Sequence, residues 1–170
     1  MMISKDSTVV SLRVGPGDDL LASIARILDE QEADGGALVA AAGSLEFLCY
    51  SVVRPDADNV PRYTHIVEES GAIEITALQG HLGRESDGAA TCHLHGTFAM
   101  EDGSLRAGHV FDARVLVTVE LTVLLVKDLV WQRSHVQYTG GKSMPVLLPQ
   151  AKPTSGKPVS GPVPNAVPAS

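Results

Sequence analysis

Two long β-prone runs, Ala89–Met100 and Leu105–Val126, are separated only by Glu101-Asp102-Gly103-Ser104. Acidic-acidic-glycine between such runs is a turn signal, and so short a connection forces the runs to pair antiparallel. Val and Thr crowd the stretch Val115–Val126, as strand packing prefers. That stretch is also apolar on both faces, so the sheet it enters must be covered on both sides. Leu105–Val126 is long enough that a break or bend is expected within it. Further strand candidates are Thr8–Val14, Leu38–Ala42, Leu45–Val53, Arg62–Glu68, Ala72–Leu78 and Leu129–Val136.

One helix stands against these strands. Leu20, Leu21, Ile24, Ile27 and Leu28 recur at helical spacing,. Asp18 or Asp19 can cap the N-terminus, and Gly35-Gly36 is the expected stop. The pattern predicts an α+β fold: a mostly antiparallel sheet with one main helix packed on it. That helix can cover only one face, so a partner subunit is expected on the other. From Pro149 the chain turns rich in Pro, Gly and Ser and carries no acidic residue. The organisation read from this is a folded domain over 1–148 and an extended tail over 149–170.

With 13 Lys and Arg against 20 Asp and Glu, the formal net charge is −7. That balance weighs against unaided binding to a phosphate backbone, which needs a basic face. The two cysteines, Cys49 and Cys92, are expected to be reduced thiols,. No apolar run spans a bilayer and the first residues hold no apolar leader, so the expectation is a cytoplasmic protein with no membrane partner.

Chemistry concentrates at His93-x-His95 and His109. Alternate strand residues share a face, so His93 and His95 are neighbours. If Glu101-Asp102-Gly103 is a three-residue loop with Gly103 left-handed, Met100 pairs with Ser104 and His95 falls opposite His109. Three imidazoles then converge, which is the ligand set of an open tetrahedral zinc site. A two-residue Asp102-Gly103 turn would instead set His109 opposite Gly96, facing away. His81, after Gly80, is a further candidate for the same site. His65 and His135 read as ordinary strand residues. Glu74, between Ile73 and Ile75, is the one carboxylate nominated as a general base.

Several ordered motifs carry a resemblance. Gly15-Pro16-Gly17-Asp18-Asp19-Leu20-Leu21 is followed by Gly71-Ala72-Ile73-Glu74-Ile75-Thr76-Ala77-Leu78-Gln79-Gly80. Then come His93-Leu94-His95-Gly96, Glu101-Asp102-Gly103 and Ala107-Gly108-His109-Val110. From about Val9 to Val130 the chain resembles the PPC (plants and prokaryotes conserved) domain. The resemblance implies a helix on a mostly antiparallel sheet, assembled as a homotrimer. It implies a divalent metal at His93, His95 and His109, with zinc the leading candidate, or a small ligand there. It also brings a DNA-binding description. The chain departs from the plant pattern in having no Arg-Gly-Arg-Pro hook, and Ala107 stands where a Gly often precedes the histidine. Two functions follow: a trimeric binding or regulatory module, or a zinc-dependent enzyme of hydrolytic type.

Overall fold

A computed structural model describes residues 2–138 and 142–152. The order is β1 (Ser7–Val14), α1 (Leu20–Glu30), β2 (Gly35–Ser51), β3 (Arg54–Pro55), β4 (Pro61–Arg62), β5 (Val67–Arg84), β6 (Ala90–Met100), β7 (Leu105–Val126), β8 (Leu129–Tyr138) and β9 (Lys142–Ala151).

The pairings close into a ring. β7 pairs with β2, β2 with β5, β5 with β6, and β6 returns to β7. β7 makes this possible by changing partner along one edge. Its Leu105–Val110 end takes β6, and its Val119–Val126 end takes β1. Inside the ring Phe98, Leu94, Leu48, Leu45 and Ile73 are buried. Leu20, Ile24, Ile27 and Leu28 of α1 join the same core, so the helix closes the open end over β5, β6 and β7.

Asp19 caps α1: its Oδ1 accepts from the Ala22 amide at 2.9 Å,. The helix ends at Glu30, not at the glycines. Glu32 takes the left-handed turn at φ 51°, and Gly35 already opens β2.

Several strands differ from the sequence reading. Leu38–Ala42 and Leu45–Val53 are one strand, β2, whose pairing with β7 shifts between Leu38 and Ala40 and again between Gly43 and Leu45. Such bulges reset the side-chain alternation, so one strand reads as two. Arg62–Glu68 is not one strand: Arg62 ends β4 and Val67–Glu68 open β5. Tyr63–Ile66 form a connection between β4 and β5. The tail expected from Pro149 instead starts inside β9, which carries Pro145 and Pro149. These prolines sit opposite His135 and Trp131 on a strand paired only with β8. An edge strand tolerates proline because its outer amides need no partner. β9 carries through Pro149 to Ala151. Residues 153–170, most of the Pro/Gly/Ser-rich segment, lie outside the described residues.

Candidate metal centre

The β6–β7 turn sets the site. Gly103 is left-handed at φ 80°. The Met100 amide donates to the Ser104 carbonyl at 2.8 Å, and the Gly103 amide to the Met100 carbonyl at 2.8 Å. Asp102 Oδ1 accepts from the Ser104 amide at 2.8 Å, which fixes the turn. The loop is therefore of the three-residue kind, and His95 lies opposite His109. Leu94 between the two β6 histidines goes into the core. His93 and His95 consequently share the outer face.

The three rings meet. Their centroids are 5.0 Å apart for His93–His95, 4.9 Å for His93–His109 and 5.3 Å for His95–His109. One nitrogen from each lies within 4.8 Å of the others. His93 Nε2 and His95 Nε2 are 3.1 Å apart. Two ligands at the usual Zn–N length on a tetrahedron would be separated by about 3.3 Å. His109 Nδ1 is buried with no partner among the described residues. A buried polar atom without a partner is uncommon and calls for a ligand or an ion to explain it.

Electrostatics favour the neutral form of His93 and His109. Burial, then the neighbouring His93 and His95, then Arg133 push His109 down to about 4. Burial, then His95, Arg133 and His81 lower His93 from its ordinary value. Neutral imidazole is the form that binds a divalent ion.

The other nominated residues are placed differently. His81 pairs with His93 across β5–β6, but its ring lies edge-on to Trp131 at 4.1 Å, outside the trio. Glu74 is exposed and pairs with Ala99, four residues along β6 from His95. At the strand rise that is about 13 Å away. His65 and His135 are exposed and apart from the cluster. Cys49 and Cys92 are free thiols.

Three residues at the site, Phe111, Tyr63 and Arg133, are not among those singled out from the sequence. Phe111 lies 4.6 Å from His109 between ring centroids, and Tyr63 lies 4.9 Å from it. Phe111 is two residues past His109, so strand alternation could have placed it. Tyr63, from the β4–β5 connection, and Arg133, from β8, arrive by tertiary folding alone.

Known structures share this architecture. A metal-containing protein from Archaeoglobus fulgidus superposes with a TM-score of 0.67 at 21% identity, covering 86% of this chain and 99% of that one. A plant- and prokaryote-conserved protein from Pyrococcus horikoshii gives 0.67 at 18% identity, with 86% and 99% covered. A candidate DNA-binding protein from Ralstonia eutropha gives 0.65 at 13%, with 81% and 90% covered. No curated protein matches the sequence. Among the described residues no helix is long and apolar enough to cross a membrane. The family model of the Plants and Prokaryotes Conserved domain spans residues 1–127, and the chain accordingly belongs to the Plants and Prokaryotes Conserved (PCC) domain family.

Proposed function

We propose that the chain is a homotrimeric binding or regulatory module in which His93, His95 and His109 hold one divalent transition metal, zinc by the chemistry of the donors. The convergence of three imidazoles with no carboxylate among them carries the reading. Imidazole nitrogens suit zinc and its neighbours rather than magnesium or calcium. The metal-containing relative from Archaeoglobus fulgidus supports it. A bound zinc ion would supply a Lewis-acid centre with an open position for a ligand atom. The hydrolytic alternative needs a base beside that position, and Glu74, about 13 Å along the strand, is too far to act directly. Binding is therefore preferred to hydrolysis. The Ralstonia relative favours nucleic acid, but a net charge of −7 opposes a phosphate backbone,.

Exposed apolar residues on the outer sheet support the trimer. Val9 and Leu124 pair across β1 and β7, yet Val9 is 64% and Leu124 36% exposed. An apolar patch on this face is suited to a subunit contact. Purified protein dialysed against zinc should carry one ion per chain by elemental analysis. Light scattering should give about three times the 17.9 kDa chain. A zinc-free protein, or a stable monomer, would refute the respective half of the proposal.

The metal-free protein should also show a pH signature. The unfolded chain takes up a proton on His109 near 6.5, whereas the folded chain resists until about 4. The unfolded state thus binds more protons between these values, and stability falls as pH drops through that window. The ring is only partly buried, so solvent screening reduces the expected loss to about 1–2 kcal/mol. Urea midpoints from pH 7 to 4, measured on wild type and on H109Q, should show the wild-type slope reduced in the variant.

A further inference from the structure

A cleft of about 560 Å³ opens beside the three histidines, with His93 and His109 in its wall. Its apolar lining comes from distant parts of the chain: Leu21 and Ala22 of α1, Phe111 of β7, and Met144 and Val146 of β9. Arg133 of β8 brings the wall's one cation, and no Asp or Glu lines the cleft among the described residues. The guanidinium is held in place. Its Nε donates to Glu85 Oε1 at 3.2 Å, and its Nη2 donates to Thr91 Oγ1 at 3.1 Å and to the Cys92 carbonyl at 3.4 Å. No described residue takes Nη1. The Arg133 side chain is only 18% exposed, whereas its partner Glu85 is 38% exposed and stands outside the cleft.

We propose that this cleft binds a small organic carboxylate with an apolar, aromatic or branched aliphatic body. The carboxylate meets Arg133 and the metal held by His93, His95 and His109; this part rests on the metal reading above. With Nε and Nη2 engaged, Nη1 is the nitrogen left to donate a charge-assisted hydrogen bond to a carboxylate oxygen,. The volume suits a small ligand, and the Leu, Phe, Met and Val walls suit an apolar body. A phosphate dianion would call for more donors than the single Nη1 group and the metal supply. Arg133, Met144, Pro145 and Val146 of the cleft wall belong to the β8–β9 hairpin, beyond the 1–127 span of the family model. The hairpin therefore shares selectivity for the ligand's body with α1 and Phe111.

Benzoate is the probe, with benzamide as its uncharged counterpart. Calorimetric titration into the full chain, zinc-loaded or stripped by chelator, should show benzoate binding the loaded form at least tenfold tighter than benzamide. Stripping should weaken benzoate. Arg133→Met should weaken it about tenfold or more. Because Arg133 also ties β8 to Glu85 and Thr91, a second variant leaves those contacts alone. Ala22→Glu adds a negative charge on an exposed helix position in the cleft wall and should weaken benzoate similarly, with unchanged circular dichroism and zinc content. Equal binding of benzoate and benzamide to a zinc-loaded chain, or wild-type binding by Ala22→Glu, overturns this inference and leaves the metal reading standing. Failure of zinc to load, read separately by elemental analysis, overturns the metal reading and the metal's share in the ligand.

Discussion

Replacing His95 by alanine is expected to abolish zinc binding while leaving the fold untouched. His95 is exposed, and its strand neighbours Leu94 and Gly96 hold β6 against β5 and β7 without it. An exposed substitution of this kind changes stability by roughly 0.5 kcal/mol or less. Binding is another matter. Loss of one of three nitrogens leaves two, and zinc prefers at least three protein ligands. A drop in affinity of at least about a hundredfold is expected, since even a lost outer partner of a ligand costs tenfold to a hundredfold. His135→Ala, at an exposed position outside the trio, should bind zinc as wild type does. Calorimetry on both variants decides the matter: an H95A protein that still binds zinc at wild-type affinity removes the trio as the ligand set.

Gly80→Ala is expected to strike the fold itself. Gly80 lies on β5 opposite Leu94 of β6, and a Cβ there would sit 2.0 Å from the His93 carbonyl oxygen. The obstacle is backbone, so no side chain can swing aside. The two strands must separate, and one of the four joins of the ring opens. Overpacking that moves backbone lies at the severe end of single substitutions, about 3–5 kcal/mol. For a chain of this size that lowers the melting temperature by about 10 °C. A G80A protein melting within 3 °C of wild type would show that the two strands can part at little cost.

How much of this could be read in advance follows from where periodicity survives. The β6–β7 hairpin was legible because its turn is short, its glycine sits at the left-handed position, and no bulge interrupts the pairing from Leu94–Val110 to Ala99–Leu105. The helix was legible for the same reason, as Leu20, Ile24 and Leu28 keep helical spacing and are all buried. β2 was not legible as one strand because its shifts in register move the apolar positions out of step. The ring was illegible because its β2–β5 and β2–β7 joins link distant residues by backbone pairing, which leaves no local mark. β9 was hidden by two prolines whose cost vanishes on an edge. Arg133 and Tyr63 reach the histidines only through those long-range pairings, so the trio could be foreseen and its cleft could not.

The short turn at Glu101-Asp102-Gly103 also bears on the order in which the molecule assembles. Joining β1 to β7 brings Ser7 to Val126, and joining β2 to β7 brings Gly35 to Val126. Each of those joins must close a loop of most of the domain, which is slow and entropically costly. His93, His95 and His109 need none of them, because all three lie on the two arms of one hairpin closed by a three-residue loop. Hairpins of this kind form in about 1–10 μs. The ligand trio is thus within reach of an ion long before the ring around it is complete. A metal captured there would pin the register of the strand on which β1, β2 and β6 all have to align.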